Sequence, residues 1–274
     1  MRLTKRLHVF FKVVPFVAAL ALLKLIVAAM GLEFMPLDGL IPSLIAGAIF
    51  LLGFLLTQVL ADYREAEHMP GEVRTALEAI HDDVLNFSLT TPASDMNGLR
   101  NALINIVEAL EEGLGVKGHH SDLGKVVDRV DELSPILNKL QTLDMSERYV
   151  VRLKAAQDTL RRSLFRIGYM QKIEFIPSVQ ILVRTLVVAS LFVLLLLKTG
   201  GGWEAMLILI FVSYMFVYLL FLIDHLDQPF RTGEGTVDDV SLFQLREFKE
   251  KILAERSPGG EAVQPLRPAA DAAE

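Results

Sequence analysis

The chain has 274 residues, of which 52% are hydrophobic, and it carries a formal net charge of −6. Its apolar residues are concentrated in long blocks toward the two ends, which is typical of a membrane protein and argues against a soluble enzyme. The acidic balance argues against nucleic acid as a partner. The sequence contains no cysteine, which excludes disulfides and thiolate chemistry and fits a chain whose bulk faces the cytosol.

Four apolar segments are long enough to cross a bilayer. A helix of roughly 20 apolar residues covers a hydrocarbon layer of about 30 Å, and lipid demands a helix because each backbone polar group must be satisfied within the segment. The predicted transmembrane spans, TM1 to TM4, are residues 9–30, 41–60, 176–197 and 203–223. A signal peptide is the alternative for the first, but Lys12 and Lys24 interrupt it and no small-residue cleavage pattern follows, so we predict a retained span.

The distribution of basic residues predicts the orientation of these spans. The first twelve residues contain four basic side chains, whereas the loop 31–40 contains two acidic side chains and no basic one. Cytosolic segments carry the excess of Lys and Arg. We therefore expect a multi-pass protein of the cell membrane with both termini and residues 61–175 in the cytosol.

Residues 61–175 have the composition of a cytosolic helical domain. Their apolar residues recur at spacings of three and four, which predicts amphipathic helices with one buried stripe each. The stripes are Val73, Leu77, Ile80 and Val84; Leu99, Leu103, Ile106 and Leu110; and Tyr149, Leu153, Ala156, Leu160, Leu164 and Ile167. Turn-forming residues near 90–92, 113–118 and 143–146 separate these helices.

Residues 224–255 form a further cytosolic segment after the last span. Leu242, Leu245, Phe248 and Ile252 repeat as one apolar stripe, so we predict a short amphipathic helix that Asp238 or Asp239 caps. From residue 256 to 274, Pro, Gly, Ala and Glu dominate. That composition predicts a disordered tail.

Residues that would support catalysis or metal binding are weakly represented. His119 and His120 are adjacent, so their side chains point in different directions, and no third ligand has a suitable spacing. The glycine-containing stretch 233–236 lacks the Lys and Ser/Thr of a phosphate-binding loop. We predict no enzyme, no cofactor and no metal site; only a metal at the two histidines would favour an enzyme.

Two basic residues, Lys24 and Arg184, lie inside the predicted spans. An ionisable group in lipid is costly and often functional. Both residues are within about two turns of a span end, so snorkelling of the side chain to the interface is the simplest interpretation. A role in a pore or between helices is the alternative.

The most informative segment is TM2, which has an aromatic stripe. Ala46, Phe50, Phe54 and Thr57 follow one helical face, with the small residues Gly47 and Gly53 beside them. Such a stripe usually contacts lipid or a bundle core. If several copies surrounded an axis, the same residues would form rings of phenyl groups, an apolar constriction that can gate by dewetting.

Three motifs in order along the chain resemble those of one membrane-protein family. Leu52-Gly53-Phe54, followed by Glu-His-Met-Pro at 67–70, is similar to the Leu-Gly-Phe core and the Tyr-Glu-Asn-Leu-Pro-Trp exit of the family's second span. Glu-Phe-Ile-Pro at 174–177 and Leu-Asp-Gln-Pro-Phe at 226–230 match the segments before TM3 and after TM4. On these motifs the chain resembles the bestrophins and their bacterial bestrophin-like relatives.

The resemblance implies an all-α membrane protein with four transmembrane helices and a cytosolic helical domain per subunit. It implies a homo-oligomer, most simply a pentamer, that conducts ions through a pore lined by TM2. The neck positions of the family fall on Ala46, Phe50 and Phe54, with Thr57 further along the pore and Asp62 at its exit. The family motif after TM4 falls on Asp227, Pro229 and Phe230. The alternative is a non-conducting membrane-anchored interaction or regulatory protein with the same fold.

Two departures from the family pattern bear on ions. After Phe230, Arg-Thr-Gly intervenes where animal members carry a run of acids that helps to bind calcium, so calcium control is not predicted. Asp62 stands near the position of a base in animal members. A ring of aspartates favours cations, so the resemblance to a chloride channel leaves both anion and cation selectivity open.

Overall fold

The structure is a computed structural model. It describes residues 8–36, 40–114, 124–172, 177–198, 203–227, 229–230 and 240–256. These residues form nine α-helices and, within the same ranges, no β-strand. The helices are α1 His8–Ala29, α2 Leu40–Thr90, α3 Met96–Gly113, α4 Gly124–Asp131, α5 Leu133–Thr142, α6 Glu147–Lys172, α7 Pro177–Leu196, α8 Trp203–Leu226 and α9 Phe243–Arg256. The all-α fold class is confirmed.

Four of these helices are long and apolar enough to cross a membrane. The apolar stretches lie in α1, α2, α7 and α8 and are Phe10–Ala29, Leu40–Thr90, Ser178–Leu196 and Met206–Leu226. The prediction of four membrane helices is therefore correct. The second differs from a simple span, because α2 continues unbroken through Pro70 to Thr90 and joins TM2 to the first amphipathic stripe. Proline removes one backbone donor and disfavours a helix interior, yet it does not end this one.

The chain divides into two compact units. The first unit contains residues Met1–Pro70, Glu111–Leu123 and Arg162–Ser241, and the second contains Gly71–Leu110, Gly124–Arg161 and Leu242–Glu274. The helices α2, α3 and α6 contribute to both units. The described parts of the first unit are the membrane helices together with the ends of α3 and α6.

The first unit is held together by apolar contacts between α2, α7 and α8. Leu52, Leu55 and Val59 on α2 are buried in one cluster with Val187 on α7 and Phe216 on α8. A second cluster joins α1 to α8 through buried apolar residues, which are Val13, Val17 and Val217. Lipid tails are as apolar as leucine, so van der Waals packing rather than water exclusion favours these contacts.

The end of α1 is fixed by a glycine turn. Gly31 has a φ of 69°, a left-handed conformation that glycine adopts without strain. The Leu32 N–H donates to the Val27 carbonyl at 3.1 Å and the Gly31 N–H donates to the Ala28 carbonyl at 3.1 Å. This pair of bonds is a Schellman motif, which satisfies carbonyls that the helix end would leave unpaired.

The second unit has a helical core of its own. The stripes Val73, Leu77, Ile80 and Val84 on α2 and Leu99, Leu103, Ile106 and Leu110 on α3 are buried, as predicted. The predicted apolar stripe of α9 is also buried, at Leu245, Phe248 and Ile252. The proposed caps Asp238 and Asp239 and the tail from residue 257 lie outside the described residues.

The predicted buried stripe of α6 is confirmed at four residues and is wrong at two. Leu153, Leu160, Leu164 and Ile167 are buried, but Tyr149 is 46% exposed and Ala156 is only partly buried. Val150 and Gln157 are buried in their place. The Gln157 amide donates to the Val130 carbonyl at 2.8 Å and to Ser134 Oγ at 2.9 Å, so its burial leaves the amide donors bonded.

Candidate functional site

The aromatic stripe of α2 is exposed in the subunit. Phe50 and Phe54 are 73% and 70% exposed, and Ala46 and Thr57 on the same face are also exposed. The opposite face of α2, with Leu52, packs against α7 and α8. Thr57 turns its hydroxyl inward and donates to the Gly53 carbonyl at 3.0 Å. The stripe is therefore not part of the subunit's own helical core.

Gly47 and Gly53, beside the stripe, do not contact another helix of the subunit. A Cβ added at Gly47 or Gly53 would meet no other atom within 4 Å. Small residues in membrane helices usually let two backbones approach. Here the space in front of them is open in the single chain, as it is in front of the two phenylalanines.

Charged residues follow the stripe along α2, beyond the predicted end of TM2. The Asp62 side chain is exposed and lies 3.5 Å from the Gln58 amide nitrogen. Glu65 accepts two hydrogen bonds from Arg166 on α6, with Nε to Oε1 at 2.8 Å and Nη2 to Oε2 at 3.0 Å. The guanidinium of Arg166 also lies over the ring of Tyr169, 5.4 Å from its centroid. Asp62 and Glu65 thus have different partners, although both are acidic.

The Glu65–Arg166 pair keeps both groups charged. Hydrogen bonding to Arg166 lowers the pKa of Glu65 below its ordinary value. The same hydrogen bond raises the pKa of Arg166, and the nearby Asp62 carboxylate acts in the same direction. This pair was not predicted from the sequence. The available signal was the position of Glu65, which continues the face of Phe54 three turns further along the helix.

The first unit contains a buried lysine near the end of α1. Lys24 is 1% exposed, and its Nζ lies 2.8 Å from Glu33 Oε1 and 3.0 Å from the Leu195 carbonyl, with the Leu197 carbonyl as a further acceptor. The loop after α1 also bonds the end of α7 through Met35, whose N–H donates to the Leu196 carbonyl at 3.2 Å. The snorkelling interpretation of Lys24 is wrong because its ammonium group bonds two other parts of the unit.

Arg184 and the motif after TM4 connect α7 with the end of α8. Arg184 is about half exposed and bonds Asp224 at 2.6 Å. Asp227 accepts a hydrogen bond from the Gln180 amide at 2.8 Å. Pro229 and Phe230 are buried, and the Pro229 carbonyl accepts from the Val240 N–H at 3.3 Å. Asp227, Pro229 and Phe230 therefore have packing and hydrogen-bonding roles in this unit.

Metal ligands do not converge in the described residues, among which no group of three His, Cys, Asp or Glu side chains could hold an ion. His119 and His120 lie outside the described ranges, as do the residues 231–239 that the calcium argument used. The absence of a metal site therefore stays a prediction for those segments.

The fold has close counterparts among solved structures. A variant of a bacterial Bestrophin homolog from Klebsiella pneumoniae matches with a TM-score of 0.73 and 14% sequence identity, over 88% of this chain and 99% of that chain. A second variant of a bacterial Bestrophin homolog from the same organism matches with a TM-score of 0.72 and 14% identity, over 92% and 98% of the two chains. A crystal structure described as a membrane protein matches with a TM-score of 0.71 and 14% identity, over 91% and 97%.

Sequence comparison adds no closer relative: no protein-family model matches, and no curated protein matches. The chain is a multi-pass α-helical membrane protein by its four apolar helices. More narrowly, it has the fold of the bacterial bestrophin homologues over nearly nine-tenths or more of its length. The resemblance inferred from three short motifs is confirmed as a resemblance of fold.

Proposed function

We propose that this chain is the subunit of a homo-oligomeric ion channel, pentameric as the bestrophin resemblance implies. Ions pass down their gradient through an axial pore lined by the membrane half of α2, with Ala46, Phe50, Phe54 and Thr57 along its wall. The observation that carries the proposal is the exposure of both phenylalanines on a helix whose other face is packed. The bestrophin resemblance implies that this face of α2 is turned toward the symmetry axis of the oligomer.

Exposed apolar residues outside the predicted spans support assembly with other copies. On α6, which precedes TM3, Val151, Phe165 and Tyr169 are each more than half exposed. Large apolar side chains exposed to water along one helix usually mark a protein interface. A neighbouring copy of the same chain is the partner that a symmetric oligomer supplies.

The two phenylalanines have the properties of a hydrophobic gate. They are one turn apart, so around an axis they form two rings separated by about 6 Å. Phenyl groups offer no donors or acceptors that could replace the hydration shell of an ion, so a narrow double ring dewets and opposes conduction until it widens. Ala46 is small, so the ring at that level is wider than the other two.

The conducted ions are small inorganic ions. The charges near the exit do not identify chloride as the conducted ion. Asp62 is an acidic residue near the position at which animal bestrophins carry a base. Anion flux follows from the family resemblance and cation flux from this charge. The excess of basic residues at the N-terminal end supports a location in the cell membrane with both termini in the cytosol.

The test is ion flux through purified protein in liposomes. Replacing Phe50 and Phe54 together by Ala removes the apolar barrier, so we expect a severalfold rise in flux with oligomer size unchanged by native mass spectrometry. The matched control is Phe192→Ala, because Phe192 is an exposed phenylalanine on α7, and its flux should equal that of the parent.

Two results would contradict the proposal. If the parent and the double variant are monomers or dimers in detergent and in liposomes, there is no axial pore, and the non-conducting interaction protein becomes the better account. If the double variant fails to assemble while Phe192→Ala assembles normally, the phenyl groups pack between subunits and do not face a lumen.

A further inference from the structure

The charged pair Glu65–Arg166 occupies the position where α2 leaves the predicted membrane span. We infer that ions meet this pair, and not Asp62, at the exit of the pore, and that its two charges must stay balanced to keep the selectivity between small cations and anions at the value of the parent. The inference rests on the proposed function, because it assumes that the face of Phe50 and Phe54 lines the ion path.

The phase of α2 favours Glu65 over Asp62. Successive residues of an α-helix are about 100° apart, so Glu65, eleven residues after Phe54, lies only about 20° from it around the helix. Asp62, eight residues after Phe54, lies about 80° away from it. The helix is continuous over this stretch, so no break resets the phase. A lumen that contains Phe54 therefore continues past Glu65, whereas Asp62 lies at its side.

The geometry of the pair gives it a defined position. Arg166 holds both carboxylate oxygens of Glu65, at 2.8 and 3.0 Å, and stacks on Tyr169. A bidentate contact and a cation–π contact restrict a side chain that would otherwise move freely. Glu65 and Arg166 remain 44% and 46% exposed, so the pair is open to an ion in solution.

The pair is electrically neutral as a whole, and removing either partner leaves a charge of known sign. Glu65→Gln leaves the guanidinium uncompensated, which attracts anions and repels cations. Arg166→Gln leaves the carboxylate uncompensated, which does the reverse. In a ring of identical subunits these charges add, and a confined lumen screens them less than open water does.

The experiment measures reversal potentials of channels in planar bilayers under a gradient of potassium chloride, so the probes are K⁺ and Cl⁻. All variants are measured in the same buffer at one pH. Relative to the parent, we expect Glu65→Gln to lower the K⁺/Cl⁻ permeability ratio severalfold and Arg166→Gln to raise it severalfold. The double variant should return close to the parent value.

Two controls separate position from the mere loss of a charge. Asp62→Asn should shift the ratio less than either variant of the pair. Arg161→Gln also breaks a salt bridge of α6, to Asp131 at 2.7 Å, but that bridge joins α6 to α4 and not to α2, so the ratio should stay unchanged. Oligomer size checks that each variant assembles. If Arg166→Gln fails to assemble, Glu65→Gln and the swapped pair Glu65→Arg with Arg166→Glu still test the inference.

Failure of the inference differs from failure of the proposed function. A parent that conducts, with Glu65→Gln unchanged in selectivity or with Asp62→Asn giving the larger shift, would overturn the inference and leave the channel intact. A parent that assembles into the expected oligomer and conducts neither ion would overturn both.

Discussion

Both halves of α2 have bulky apolar residues at similar spacings, but these residues differ in how far they are exposed in the subunit. In the N-terminal half, up to Pro70, Phe50 and Phe54 are largely exposed. In the C-terminal half, from Gly71, Leu77 and Ile80 are completely buried. The second unit covers its stripe, and apolar surface left bare in water costs about 25 cal/mol per Å². The first unit leaves Phe50 and Phe54 uncovered in the single subunit, and in the proposed channel the matching residues of the other copies surround the axis that they face.

The largest effect that this comparison predicts is a charge placed in the covered half. Leu77→Asp buries an unpaired carboxylate in the second unit and should lower stability by on the order of 4 kcal/mol. The control is Leu89→Asp on the same helix, where the parent residue is exposed and the change should cost no more than about 0.5 kcal/mol. Thermal unfolding of the purified protein measures both. Equal losses for the two variants would show that burial does not govern the C-terminal half.

An intermediate effect is expected from two of the ion pairs that α2 makes, one buried and one exposed. Asp83 in the C-terminal half is 3% exposed and bonds Arg152, whose Nε lies 2.7 Å from Oδ2. Arg152→Met leaves a buried carboxylate without its partner and should cost about 2 kcal/mol or more. Arg166→Met breaks the exposed pair with Glu65 and should cost about 1 kcal/mol or less. The comparison fails if thermal unfolding gives the opposite order.

The smallest effect on stability is expected from truncation in the bare half. Phe54→Ala should lower the stability of the assembled protein by less than about 1 kcal/mol, because the ring has few neighbours in the subunit to lose. The matched truncation Phe248→Ala removes a completely buried ring of α9 and should cost about 3–5 kcal/mol. A large loss of stability at Phe54 would mean that its ring is packed in the assembly.

The sequence predicts most of the fold because lipid and water leave different periodic patterns. Runs of about twenty apolar residues predicted four helices, and the stripe from Val73 to Val84 predicted which face the second unit covers. The error at Tyr149 shows the limit of such patterns. A helix that begins at Glu147 places Val150 inward, and Gln157 replaces Ala156 in the core because its amide finds two acceptors that lie far away in the sequence.

The candidate site was only half predictable for a similar reason. The stripe of Phe50 and Phe54 follows from spacing within one helix, whereas its exposure in the subunit is seen only in the structure. The pairing of Glu65 with Arg166 joins residues 101 positions apart, and neither carries a local signal for the other. The family resemblance therefore implies Asp62 at the proposed pore exit, whereas the phase of the helix favours Glu65, three residues further on.

The buried Lys24 bears on how the chain is made. Its carbonyl acceptor at Leu195 lies 171 residues later in the sequence, so at ordinary rates of translation it is synthesised roughly 10–30 s after Lys24. Glu33, nine residues away, is available almost at once. Of the three groups that bond Lys24 in the folded chain, only Glu33 can therefore neutralise its charge until the end of α7 has been made.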